Sequence, residues 1–136
     1  FTEEEYTRQC ARAFLLSVDV AHAYHPNYPE KNDLTNFPVL GGGVVLKTAA
    51  SQTYAGDAEA VAVIKSLAEA HDIPCQIFVN RSDMRGGSTL GSLLSARLPV
   101  RTMDIGAPLL SMHSAYETMG ADDQKHLNNL VTAFLA

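Results

Sequence analysis

The feature that most constrains this chain is a rhythm: short apolar runs, too brief for buried helices, alternate with stretches that repeat at helical spacing. Leu15-Leu16-Ser17-Val18-Asp19-Val20, Gly43 to Thr48, Cys75 to Val79 and Val100 to Gly106 read as strands. Between and around them lie helical patterns. Thr2-Glu3-Glu4-Glu5 is a capping box, so a helix follows to about Arg12 or Ala13, with Tyr6, Cys10, Ala13 and Phe14 on one face. Asp57 can cap a helix over about 58–71 that buries Val61, Ile64, Leu67, Ala68 and His71, and Pro74 stops it. Ser88 can cap a helix to about Arg97, with Leu90, Leu93 and Leu94 inward. Leu109 to Ser114 is extended and then turns, and a last helix from about Asp122 carries Leu127, Leu130, Val131, Phe134 and Leu135 at helical spacing. Strands alternating with helices predict an α/β layer with a mostly parallel sheet. Cys75 to Val79, apolar apart from Gln76, suits a sheet covered on both faces. Residues 25–42, with Pro26, Pro29, Pro38, three Asn and two Gly, read as loop. No repeat or linker divides the chain, so residues 1–136 form one domain or one piece of a domain.

At 136 residues the chain can bury a real core, and 46% hydrophobic with 18% charged residues is ordinary for a globular protein. A net charge of -5 with no basic run argues against nucleic acid, whose phosphates need clustered Lys and Arg. No apolar stretch reaches the roughly 20 residues that cross a bilayer. The start at Phe1 rather than Met reads as a cut end. Cys10 and Cys75 are expected to be free buried thiols in a reducing compartment, and are too few and too distant to form a zinc–cysteine site.

Four places carry candidate chemistry. Asp19 stands near the end of a strand, where ligand sites of open α/β sheets gather, with His22 and His25 just beyond. A carboxylate with neutral imidazoles suits zinc. On spacing alone the plainer alternative weighs more: Asp19 caps a turn while both histidines bond to backbone. His113, between Ser111 and Ser114, is either a ligand or a hydrogen-bonded interior residue. Lys47 ends the run Gly-Gly-Gly-Val-Val-Leu-Lys and either snorkels at the sheet margin or waits for an acidic substrate. The loop from Asn80 to Gly91 has Gly86 and Gly87 ahead of a helix start, where backbone can approach a ligand or simply turn. It lacks the Gly-Lys-[Ser/Thr] ending of a phosphate loop, and no Gly-x-Ser-x-Gly marks a serine hydrolase.

Taken in order, several segments resemble the aspartyl aminopeptidase family of zinc metallopeptidases. They are Ser17 to Tyr28 (SVDVAHAYHPNY), Val44 to Lys47 (VVLK), Gln52 to Ala55 (QTYA), Gly86 to Leu98 (GGSTLGSLLSARL) and Asp104 to Glu117 (DIGAPLLSMHSAYE). The resemblance runs from about Ser17 to the C-terminus. It implies that Asp19 ligates one of two zinc ions and His113 the other. It implies that Lys47 forms the base of a pocket for the acidic side chain of a peptide's first residue. Tyr54 and the Gly87-Ser88-Thr89 helix start become substrate-contacting positions, and His22 and His25 outer-shell or subunit-contact residues. The family's remaining ligands, an N-terminal His, a bridging Asp and a Glu-Glu pair that includes the general base, have no matching position here.

The resemblance therefore implies the C-terminal portion of a zinc exopeptidase catalytic domain: a mixed, mostly parallel sheet with helices on both faces. The parent is expected to be a cytoplasmic, large homo-oligomeric metallo-aminopeptidase that takes peptides with an acidic N-terminal residue. The fragment alone is expected to be inactive and to bind zinc weakly, because a catalytic zinc usually has three protein ligands. The rival expectations are a non-catalytic α/β binding or assembly module, and a related zinc peptidase of other specificity, differing mainly at Lys47.

Overall fold

A computed structural model describes residues 1–136. The elements run α1 (Glu3–Arg12), β1 (Phe14–His22), a 3-10 turn (Pro29–Lys31), β2 (Val44–Thr48), α2 (Ala58–Ala70), β3 (Cys75–Val79), α3 (Leu90–Ser95), β4 (Arg101–Leu110), β5 (Thr118–Met119) and α4 (Ala121–Leu135). One sheet has the order β1-β4-β2-β3, with β5 added to β4. β1 runs parallel to β4 from Phe14↔Arg101 to His22↔Leu109, and β2 runs parallel to β3. The two parallel pairs meet antiparallel at Val45↔Gly106 and Leu46↔Ile105, so the sheet is mixed and mostly parallel.

Alternation along the strands divides the chain into two layers. Val44, Leu46, Met103, Ile105 and Ala107 face α2 and α4, where Ala60, Ile64, Ala68, Leu127 and Leu130 complete a dry core. Val45, Lys47 and Phe78 point the other way, towards Tyr54. α3 lies on that second face over β1 and β4, so helices cover both faces. Asp57 caps α2 through the Ala60 N–H, and Thr2 and Glu5 form the expected capping box on α1.

Several expectations shift. The extended runs before and after Gly106 are one ten-residue strand, β4, although Pro108 lies inside it. The Leu109 carbonyl accepts the Ala23 N–H, so the backbone of Pro108 faces the opposite side, beyond the point where β2 pairing ends. A missing N–H costs nothing there. Thr89, not Ser88, caps α3 by accepting from the Ser92 N–H. That helix turns Gly91 to the sheet, where a Cβ would stand 2.6 Å from Asp104 Oδ1 and from Ser17 Cβ. Close approach at Gly91 rotates Leu90 and Leu93 outward, leaving them 68% and 60% exposed instead of buried. α1 buries no residue, His71 is an exposed C-cap, and Leu135 projects into solvent. Cys10 and Cys75 are free but only half-buried, and desolvation pushes the Cys75 thiol up to about 11.

Candidate functional site

The second face of the sheet gathers most of the candidate residues. Asp19 pairs with Gly106, which pairs in turn with Val45, and Lys47 lies two residues further along β2 on the same face. Its ammonium reaches across: Nζ is 3.3 Å from Asp19 Oδ2 and 3.1 Å from the Val20 carbonyl. It also lies 5.2 Å from the centre of the Tyr54 ring. Lys47 is only 3% exposed, so it does not snorkel at the margin, whereas the Asp19 side chain is 54% exposed. Nor does Asp19 close its strand, since β1 continues to His22. A buried ammonium is tolerated here because a carboxylate, a carbonyl and a π-face surround it.

Tyr54 is fixed from behind. Its ring meets Phe78 edge-on at 5.9 Å. The next residue, Ala55, donates its N–H to Asp104 Oδ2 at 2.5 Å and accepts the Asp104 N–H at 2.9 Å. The same Oδ2 accepts the Thr89 hydroxyl at 2.6 Å, and Thr89 donates its N–H to the Thr53 carbonyl. One fully buried carboxylate thus joins the Tyr54 loop to the start of α3. Its other oxygen has no partner. Sequence reasoning passed over Asp104. The available signal was a carboxylate in mid-strand between Met103 and Ile105, where only a paired acid is stable. Of the helix-start trio, Thr89 is buried in this joint, Gly87 lines the adjoining cavity, and Ser88 is exposed.

The histidines fall into two groups. His25 accepts the Asn27 N–H at Nδ1, 3.2 Å, and packs on Tyr28, so it ties its own loop to backbone. His22 extends from the end of β1 with its ring 6.5 Å from Phe78. Its pKa lies below the ordinary 6.5, first because of desolvation and then because His113 and Lys47 repel its charged form. The first of those repulsions puts His113 near His22. His113 is exposed on the turn after β4, not interior. Its backbone is left-handed (φ +67°), its N–H donates to Glu117 Oε1 at 2.5 Å, and Ser111 is also left-handed (φ +56°). Such backbone costs on the order of 1–3 kcal/mol at a non-glycine residue and concentrates at functional turns.

The donor chemistry at Asp19 and His113 suits zinc. Asp19 hydrogen-bonds through Oδ2 alone, and the His113 imidazole has no hydrogen-bond partner. Yet no group of three His, Cys, Asp or Glu side chains is close enough to hold a metal. Tyr54, which the Lys47 ammonium faces, also lines a cavity of about 320 Å³, walled by the segment around Tyr28 and Lys31, the Asn80–Gly87 loop and the turn at Ser111 and Met112. His22 and Tyr54 line its inner side.

The mixed sheet with helices on both faces is part of an α/β domain, and it matches part of solved M18 aminopeptidase structures. The chain belongs to the aminopeptidase I zinc metalloprotease (M18) family, whose model matches residues 1–135. A "Probable M18 family aminopeptidase 2" from Clostridium novyi is 50% identical over 120 residues, 88% of this chain and 28% of that protein. A namesake from Pseudomonas savastanoi pv. phaseolicola is 42% identical over 135 residues, covering 99% and 32%. Among solved structures, a chain of the Ape4 and Nbr1 complex superposes with a TM-score of 0.94 at 38% identity, covering 98% of this chain and 25% of that one. Yeast aminopeptidase 1 superposes at 0.80 and 29%, covering 93% and 27%. This chain therefore spans about a third or less of the length of these relatives.

Proposed function

We propose that residues 1–136 are the C-terminal part of the catalytic domain of a zinc-dependent aminopeptidase that removes N-terminal Asp or Glu from peptides. The observation that carries this reading is the Lys47 ammonium, buried against Tyr54 of the cavity wall and sharing one carboxylate. In the whole enzyme Asp19 and His113 would each contribute a ligand to one of two zinc ions, the remaining ligands and the general-base Glu lying outside this chain. Zinc supplies Lewis-acid polarisation of a peptide carbonyl and an acidified water. With Asp19 engaged as a ligand, Lys47 is left with a buried charge that a substrate carboxylate neutralises. That makes the pairing discriminating, because a neutral side chain leaves the ammonium unpaired. Tyr54 holds the side of this pocket, and the Gly87–Thr89 segment presents backbone beside it. His22 and His25 shape the adjoining wall.

Replacement of Lys47 in the complete enzyme tests the assignment. Lys47→Met is expected to lower kcat/KM for an Asp-peptide relative to an Ala-peptide by roughly 100-fold or more. An unchanged preference overturns the pocket.

The exposed Leu90 and Leu93 and the unpacked α1 favour contacts beyond this chain. A yeast relative is described as a dodecamer, so we read the enzyme as a large homo-oligomer. No helix is long and apolar enough to cross a membrane, and two unpaired cysteines fit a reducing cytoplasm. The same exposed faces support the alternative of an assembly module without catalysis. Stoichiometric zinc with turnover of an aspartyl peptide by the complete protein decides for the enzyme, and absence of both decides for the module.

A further inference from the structure

The cavity lined by Tyr54 has a charge pattern that the first-residue pocket does not use. The chain as a whole is acidic, with 15 Asp+Glu against 10 Lys+Arg. The cavity lining contains Lys31, Arg81 and Arg85 and no carboxylate residue at all. Its floor is apolar, formed in part by Ala23, Phe78 and Leu109. An apolar floor with a cationic rim is the pattern of a pocket for an anionic organic group.

The rim is built, not incidental. Its two walls are tied to each other. Arg81 donates from its guanidinium to the Glu30 carbonyl on the opposite wall, and Asn32 and Asn80 form a β-bridge between the walls. Arg81 is also held by Asp83, with Nε 2.8 Å from Oδ1. Gly86 packs so tightly on Asn80 that a Cβ would stand 2.2 Å from its Nδ2. These contacts use Arg81 as the staple. They leave Lys31 and Arg85, which take part in none of the ion pairs, with charge to offer, the Lys31 ammonium resting 4.9 Å from the centre of the Tyr28 ring. Tyr54 belongs to both places, since it faces the Lys47 ammonium and lines the cavity. Tyr54 is thus the link between the lysine and the cavity, which Lys47 itself does not line.

We propose that the cavity is a second anion subsite, in which Lys31 and Arg85 hold a carboxylate that the peptide carries beyond its first residue. The inference rests on the aminopeptidase reading for which peptide residue enters first, but not for the existence of the subsite. That carboxylate comes either from a following Asp or Glu side chain or from the free C-terminus of a short peptide. Binding draws on walls already in place, so little ordering is needed, and two partly exposed pairs contribute together.

The test compares Asp-Ala-Ala amide, Asp-Glu-Ala amide and the free acid Asp-Ala-Ala as substrates of the complete enzyme. At low salt, at least one doubly charged peptide is expected to show a KM about fivefold to tenfold below that of the amide reference. Which one does so identifies the source of the carboxylate. The advantage should vanish in Lys31→Ala/Arg85→Ala and survive in Arg85→Lys. Equal KM values for all three peptides, or an advantage that the double variant keeps, overturn the subsite. If the protein turns over none of them, the aminopeptidase reading fails and the subsite is judged by binding alone. Acetyl-Ala-Glu-Ala amide, which has no free N-terminus, should then bind at least fivefold tighter than acetyl-Ala-Gln-Ala amide, and the double variant should abolish the difference. Equal binding of the two blocked peptides overturns the proposal.

Discussion

Against α2 and α4, the sheet buries Leu46, Met103, Ile105, Ile64 and Leu130, which need only to be kept from water. Against α3 and the Tyr54 loop it buries Lys47, Thr89 and Asp104, and each needs particular partners at particular distances. The first face is finished by this chain's own helices. The second is held by a few polar joints and opens into a cavity, with Leu90 and Leu93 turned outward. Apolar packing closes wherever volume and pattern allow, whereas a polar face stays open for whatever completes its bonding.

Four measurements test this contrast. The largest effect is expected in the dry face: Ile64→Ala removes a fully buried side chain and should cost about 2–5 kcal/mol of unfolding free energy in urea. A loss below about 1 kcal/mol means that the α2 face is not a packed core. Next comes Cys75, half-buried at the margin of that core, with its thiol pushed up to about 11 by burial. At pH 8 its alkylation by iodoacetamide should be on the order of 100-fold slower than that of an unperturbed thiol. Ordinary reactivity shows that the edge of this face opens readily.

On the polar face, Asp104→Ala strands the Ala55 N–H and the Thr89 hydroxyl. A cost of about 1–3 kcal/mol is expected, together with a higher KM in the complete enzyme as Tyr54 loosens. Unchanged stability shows that the carboxylate is not the joint between the two loops. The smallest effect belongs to His22, whose folded pKa lies below its unfolded value of 6.5. The unfolded chain therefore binds more protons at this site, so the His22 contribution to stability is constant above about pH 7 and is lost as pH falls through 6.5 towards the lowered value. His22→Gln should remove that part of the acid sensitivity, read by unfolding at pH 5.5 against pH 7.5. An identical pH dependence in the variant places the sensitivity elsewhere.

Much of the scaffold was legible because it obeys local rules. The capping box at Thr2, the cap at Asp57 and the stop before Pro74 depend on residues a few positions apart, and the structure has them. α3 was misread because its inward face is set by Gly91 against Asp104 and Ser17, residues distant in sequence. Helical periodicity alone would hide its leucines. Lys47 was identified, but its burial was not, since the ammonium is sheltered by Asp19 from one strand and Tyr54 from a later loop.

By itself, then, the order of residues determined the alternating α/β architecture, the helix ends and the identity of the lysine, carboxylate and imidazole that the family resemblance singles out. Only the tertiary structure decided that β2 runs against β4, that Asp104 clamps the Tyr54 loop to α3, and that an acidic chain walls one cavity with cations. The physical reason is range. Caps and periodicity are interactions between near neighbours, while burial of a charge and the sign of a pocket depend on which remote segments the sheet brings together.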